Sequence, residues 1–166
     1  DPLVTKAPGV AESIDAAPRF VQSVSSDAEE RNYQLSEITL LSADQGRLVP
    51  MSSFAGTPYW SELNFLSNMS PLPFELRVGS WSRLDQAINA LADELGEVYV
   101  VSGPIYAEGE AAEGVDPAAY FKVISTPDRL SAFIFESDVR QHASFCDQLS
   151  TLESVEEATG LRLFPQ

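Results

Sequence analysis

Side chains suited to acid–base or metal chemistry are scarce in this sequence, which holds one histidine, His142, and one cysteine, Cys146. A single cysteine excludes a disulfide within the chain, and one residue of each type is too few for a zinc site of histidine and cysteine ligands. We expect His142, in a polar stretch, to lie on the surface. We expect Cys146 to be a small buried apolar residue, so neither suggests catalysis.

A short polar stretch, Asp44-Gln45-Gly46-Arg47, follows a segment with the pattern of a strand and precedes Pro50. Arginine keeps its proton at any working pH, so Arg47 has no lone pair with which to act as a general base. The stretch therefore combines a carboxylate with a fixed positive charge.

The composition indicates a soluble globular chain with an acidic surface. Its 166 residues include 25 acidic and 10 basic ones, which gives a formal net charge of −15. This charge repels polyanions at long range, so non-specific electrostatic binding of nucleic acid is doubtful. No run approaches the roughly 20 consecutive apolar residues that a membrane helix needs, and we expect no membrane span.

Alternating and continuous apolar runs predict five strands. They are expected at 33–43, 63–70, 97–106, 118–125 and 130–137. We expect the strand at 97–106 to be buried and central and to end at a Gly103-Pro104 turn. The last two strands form a predicted hairpin, since the turn-forming residues 126–129 separate them.

Two helices are predicted from periodicity and capping residues. Apolar side chains from Val78 to Leu95 recur at three- and four-residue steps and form one face of a helix that Gly96 ends. A second helix is expected over 150–160, where Ser150 and Glu153 have the spacing of a capping box.

These elements predict an α+β fold with a mainly antiparallel central sheet and helices packed on it. Residues 1–18 contain three prolines and little apolar periodicity, so they are expected to form an extended N-terminal arm. Residues 19–166 are expected to form one domain.

An ordered series of short motifs resembles the DNA/RNA non-specific endonucleases, the ββα-metal or histidine–metal finger family. The series is ADQGRLVP, YWSELNFLSNMSP, GSWSRLDQ, VYVVSGPIY, AYFKVI and TGLRLFP. The resemblance covers about Arg19 to Pro165 and implies the ββα-metal endonuclease fold. Domains of this family have further strands before the point where this chain begins.

The resemblance also implies a site for phosphodiester hydrolysis. In the family, a histidine ending an Asp-Arg-Gly-His motif activates water, and an asparagine at the start of the long helix holds a hydrated Mg²⁺. Here the histidine position is Arg47 and the metal-binding asparagine position is Arg77. The helix glutamate corresponds to Asp85, the asparagine of SNMSP to Asn68, and an upstream catalytic arginine to Arg19.

Two substitutions favour a degenerate member of this family. Arg47 offers no proton acceptor, and a cation at Arg77 repels Mg²⁺ instead of coordinating it. The leading interpretation is a catalytically inactive endonuclease-like domain, without a metal cofactor, that acts as a binding or structural module. The alternative is a divergent Mg²⁺-dependent nuclease or phosphodiesterase acting on DNA or RNA, in which His142 replaces the missing base.

Arg47 and Arg77 are expected near each other, with Asp44 and Asp85 as partners. Either the four groups form an internal salt-bridge cluster or the two arginines bind an anion such as phosphate. The acidic surface is compatible with a protein partner in a larger assembly. The family tendency implies a secreted or periplasmic protein, with an organelle as another location.

Overall fold

A computed structural model of the protein describes residues 46–54, 63, 68–107 and 115–164. The predicted arm at 1–18, Arg19 and the predicted strand at 33–43 lie outside these residues. The chain divides into two compact units, Asp1–Leu72 and Pro73–Gln166. None of the described helices is long and apolar enough to cross a membrane.

The described elements follow a simple order along the chain. They are β1 (Gly46–Arg47), β2 (Met69–Ser70), α1 (Phe74–Val78), α2 (Ser80–Leu95), β3 (Tyr99–Ile105), β4 (Ala119–Ser125), β5 (Leu130–Glu136), β6 (Leu149–Ser150) and α3 (Leu152–Thr159).

In the first unit, β1 and β2 form an antiparallel pair in which Gly46 lies opposite Ser70 and Arg47 opposite Met69. The pairing continues past β1, because the Leu48 amide donates to the Asn68 carbonyl over 2.9 Å. Of the described residues in the predicted strand 63–70, only Met69–Ser70 is a strand.

In the second unit, four strands form an antiparallel sheet in the order β3-β4-β5-β6. The predicted hairpin is confirmed: β4 and β5 pair along their whole length, from Ala119 opposite Glu136 to Ser125 opposite Leu130. This sheet with its helices confirms the predicted α+β class and is consistent with the ββα-metal nuclease fold.

Helix α2 covers one face of this sheet. Side chains alternate between faces along a strand, so Tyr120 and Lys122 of β4 point to the same side. Trp81 of α2 packs edge-on against Tyr120 and against Phe135, with ring centroids 6.0 and 5.5 Å apart. These aromatic contacts fix the first turns of α2 against the sheet.

Helix α3 covers the opposite face. Its Val155 is fully buried and belongs to a core cluster with residues of β3, β4 and β5: Ile105, Ala119, Phe121, Val123 and Ala132. The described unit therefore has three layers, with a helix on each side of the sheet.

The predicted helix from Val78 to Leu95 is interrupted. Gly79 has φ −100° and ψ −122°, outside the helical region, and it separates α1 from α2. Val78 and Leu95, predicted on the buried face, are exposed. A Cβ on Gly79 would collide with the Glu75 carbonyl oxygen and would lie 2.6 Å from the Gln141 carbonyl oxygen, so this corner admits only glycine.

The predicted central strand differs from β3 in two respects. Its first half is not buried, since Tyr99 is 61% exposed and Val100 is also exposed. Gly103 and Pro104 lie inside the strand and do not form a turn. A Cβ on Gly103 would lie 2.9 Å from the Phe121 ring, so close packing of this ring explains the glycine.

The second predicted helix is confirmed as α3, but its cap is one residue later than expected. Thr151 is the N-cap, and its Oγ1 accepts a hydrogen bond from the Ser154 amide over 3.1 Å. Ser150 instead belongs to β6, where it pairs with Ala132 of β5. Gly160 ends the helix as predicted, with φ 68°.

We expect Gly79→Ala to lower the free energy of unfolding by about 1–3 kcal/mol, because its methyl group has no room between two backbone carbonyls. Urea denaturation measures the change. Gly160→Ala is the control, since a Cβ there meets no atom within 4 Å and only backbone strain remains. Amide hydrogen exchange around Gln141 should be faster than in wild type in Gly79→Ala and unchanged in Gly160→Ala. Equally faster exchange in both variants would contradict the explanation by steric collision.

Candidate functional site

Arg47, which the motif resemblance aligns with the family's catalytic histidine, is a half-buried residue of β1. Burial lowers the pKa of the Arg47 guanidinium, because desolvation penalises its charge. The ordinary pKa of arginine is so high that the group remains protonated at neutral pH. The first unit therefore presents a fixed cation at this position and not a proton acceptor.

Asn68 uses its side-chain amide to hold the backbone beside Arg47. Its Oδ1 accepts from the Val49 amide over 2.8 Å, and its Nδ2 donates to the Val49 carbonyl over 3.0 Å. The same Nδ2 donates to the Leu63 carbonyl over 2.9 Å. These bonds make Asn68 a positioning residue for the segment that follows β1.

Arg77, which the motif resemblance aligns with the family's metal-binding asparagine, lies in α1, within the second unit. Arg77 is anchored there by its amide, which donates to the Pro73 carbonyl over 2.8 Å. Its guanidinium carbon lies 5.5 Å from the centroid of the Phe74 ring, within the range of a cation–π contact. A guanidinium has donors only, so it cannot replace an asparagine oxygen in a metal shell.

The residues at the family's metal position do not fit a hydrated Mg²⁺. Within 46–54, 68–107 and 115–164, no three His, Cys, Asp or Glu side chains come together. Asp85, which the motif resemblance aligns with the family's helix glutamate, is paired with a protein cation.

That cation is Lys122, a fully buried lysine in β4. Its Nζ lies 2.5 Å from Asp85 Oδ1, and the Asp85 side chain is only 9% exposed. Nζ also lies 3.9 Å from the centroid of the Trp81 ring. Asp85 was expected to pair with an arginine of the site, but its ion pair is with Lys122. The overlooked signal is the lysine among the apolar residues of AYFKVIS, since a buried lysine needs an anionic partner.

Burial disfavours the charged form of both side chains. Desolvation raises the pKa of Asp85 and lowers that of Lys122, while each partner opposes the shift of the other. The free energy of desolvation is therefore only partly offset by the attraction within the pair. Losing one partner leaves the other as an isolated buried charge.

The loop after β5 packs against the start of α2. Arg83 Nη2 donates to the Gln141 and Ala143 carbonyls over 2.8 and 2.7 Å. His142 lies between these two residues and is exposed, as predicted. Arg83 and Asp85 are two residues apart on a helix, about 200° around its axis. The loop that carries His142 therefore lies on the side of α2 away from Asp85, which does not favour His142 as a base there.

Cys146 is exposed, so its predicted burial is wrong. It lies in a short 3-10 helix, Phe145–Gln148, whose apolar anchor is the neighbouring Phe145. The Phe145 ring packs edge-on against Phe133 at 6.2 Å. One aromatic side chain is enough to fix this turn, which leaves the thiol in solvent.

We expect Lys122→Met and Asp85→Leu each to cost about 3–5 kcal/mol of unfolding free energy, because each leaves an uncompensated buried charge. The double variant, which removes both charges, should be close to wild type or more stable. Urea denaturation of the four proteins completes a double-mutant cycle. Strictly additive losses would show that the two groups do not depend on each other.

The loss in Lys122→Met should depend on pH. Without its partner, the buried Asp85 carboxyl has a pKa raised further above its unfolded value of about 3.9. A raised folded pKa contributes stability that is present below the unfolded pKa and is lost as pH rises through the folded pKa. The deficit relative to wild type should therefore be larger at neutral pH than at about pH 4; a deficit that grows on acidification would contradict this.

Comparison with known proteins assigns the chain to a family. Residues 10–166 match the DNA/RNA non-specific endonuclease family. A protein called Nuclease from Serratia marcescens is 34% identical over 134 residues, which cover 73% of this chain and 50% of the relative. The chain thus spans about half the length of this relative. With the family matched over nearly the whole sequence and an antiparallel sheet between helices, the chain belongs to the DNA/RNA non-specific endonuclease family.

Proposed function

We propose that this domain is an endonuclease-fold binding or structural module that does not cleave nucleic acid by the histidine–magnesium route of its family. The observation that carries the proposal is the half-buried guanidinium of Arg47 in β1, which we align with the family's catalytic histidine. Because this guanidinium stays protonated, it cannot take a proton from water at neutral pH.

The second unit supports the same proposal. Arg77 brings a positive charge and no acceptor to the metal-ligand position. Asp85 has its carboxylate tied to a buried ammonium group. A hydrated Mg²⁺ would have to displace these contacts and overcome the repulsion of the guanidinium, so we propose that the domain uses no metal cofactor.

Three residues that match the family's motifs have structural roles in this chain. Asn68 binds the backbone at Val49, Gly79 makes a corner that only glycine fits, and Trp81 packs between α2 and the sheet. Each of these roles persists without catalysis. A fold that keeps them is free to lose its base and its metal ligand.

A cleavage assay with revertants tests the proposal. Supercoiled plasmid and single-stranded RNA are incubated with wild type, Arg47→Lys, and the double variant Arg47→His/Arg77→Asn, with Mg²⁺ or Mn²⁺. Wild type and Arg47→Lys, which keeps the charge, should not cleave. The double variant should gain at least about 100-fold over wild type, since a positioned base contributes about that much.

One result contradicts the proposal directly. Cleavage by wild type that EDTA abolishes, and that Arg77→Ala lowers about tenfold or more, would show that the arginines take part in a working site. A contaminating nuclease would cleave equally in every preparation, so a loss of cleavage in the variant shows that the activity belongs to this protein. Circular dichroism of every variant confirms that the fold is unchanged.

A divergent metal-dependent nuclease acting on DNA or RNA is the second candidate, favoured by the identity with a relative called Nuclease. In this case His142, the single histidine, is the residue to replace. Loss of cleavage in both His142→Ala and His142→Gln would support this candidate. Cleavage unaffected by either change would remove His142 from it.

The net charge of −15 leads us to propose a protein partner in preference to nucleic acid. We expect no binding of fluorescent single- or double-stranded DNA at physiological salt, measured by fluorescence anisotropy. Tight, salt-dependent binding would contradict this. A secreted or periplasmic location, which the family tendency suggests, belongs to the same proposal.

A further inference from the structure

An open pocket of about 170 Å³ lies between α2 and the β4–β5 hairpin. Its floor is apolar and buried, formed by Leu84, Ile88, Ile124 and Phe133. An enclosed dry cavity of about 150 Å³ lined by such residues can hold a benzene molecule, which gives a scale for this pocket, although it is open to solvent on one side. The pocket therefore has room for an apolar group of about that size.

The rim of this pocket is polar on the hairpin side. Thr126, Arg129 and Ser131 line it there, and Arg129 is the one charged residue among those that form the pocket. Within the described part of the second unit, no carboxylate lies within salt-bridge distance of the Arg129 guanidinium. An anionic group at the rim would meet a cation without competition from another lining residue.

The backbone that carries Arg129 is fixed by the turn between β4 and β5. The Thr126 amide donates to the Arg129 carbonyl over 2.8 Å, and Thr126 Oγ1 donates to the same oxygen over 3.1 Å. The Arg129 amide in turn donates to Thr126 Oγ1 over 3.1 Å. With Pro127 between them, these bonds fix the backbone of Arg129 at the rim, so that only its exposed side chain has to be ordered by a ligand.

We propose that this pocket binds a small molecule with a compact apolar body and a carboxylate group, the body on the floor and the carboxylate at Arg129. The charge complementarity at the rim selects an anion, although the chain as a whole is acidic, because the contact acts at short range. This inference does not depend on whether the domain cleaves nucleic acid.

Phenylacetate and 2-phenylethanol test the proposal, since they share a body and differ in charge. Each is titrated into ¹⁵N-labelled protein, and the amide signals of residues 84–91 and 124–133 are followed by NMR. Phenylacetate should shift these signals and bind about threefold tighter than the alcohol, the discrimination expected of a solvent-exposed ion pair. Arg129→Gln should abolish this difference and leave the binding of the alcohol unchanged.

A filling variant shows whether the pocket itself is occupied. Ala87 is exposed at the pocket edge on α2, so Ala87→Phe should block both compounds. Gln86→Phe, at an exposed neighbouring position that does not line the pocket, is the matched control and should bind both as wild type does.

Three results would overturn the proposal. No shift of these signals with either compound at millimolar concentrations would remove the site. Equal binding of the two compounds to wild type would indicate an uncharged occupant, such as an apolar side chain of a partner protein. Binding that survives Ala87→Phe would place the compounds elsewhere.

Discussion

The buried pair of Lys122 and Asp85 is the constraint that governs the second unit, because neither charge can be buried there without the other. It joins the middle of the sheet to the first half of α2, and the Trp81 ring covers the ammonium group at 3.9 Å. Because desolvation works against both charges, the pair persists only while both members and their cover are in place. The ion pair and the Trp81 ring therefore both contribute to the contact between α2 and the sheet.

The start of α2 is fixed by a second set of contacts. Gly79 lets the backbone turn against the Gln141 carbonyl, and Arg83 binds the loop that carries His142. In the first unit, hydrogen bonds with the Asn68 side chain fix the segment after Arg47. Each unit thus has backbone contacts that fix the segment next to an arginine of the candidate site, Arg47 in the first unit and Arg77 in the second.

The sequence predicted most of the second unit because its signals are local. The hairpin and α3 follow from apolar runs and turn residues, which need no knowledge of neighbours. The errors concern features that distant residues decide. Gly103 faces the Phe121 ring, Gly79 meets the Gln141 carbonyl, and Cys146 is left in solvent because Phe145 anchors its turn.

The candidate site was predictable in part for the same reason. Ordered motifs were enough to name Arg47, Arg77, Asp85 and Asn68 as candidates, since each motif is short and contiguous, and their roles stay predictions. The partner of Asp85 was not predictable from these motifs, because Lys122 lies on β4, 37 residues further along the chain. A lysine in the middle of an apolar strand needs a buried anion, and this rule is the physical signal that connects the two residues.

We propose that Arg47 and Arg77 provide neither a proton acceptor nor a metal ligand at their positions. Anomalous diffraction from a crystal soaked in Mn²⁺ tests it most directly, because the ion is visible whether or not cleavage occurs. We predict no Mn²⁺ coordinated beside Arg77 or Asp85. A hydrated ion bound there, with the Asp85 carboxylate turned from Lys122 toward its water shell, would contradict the account.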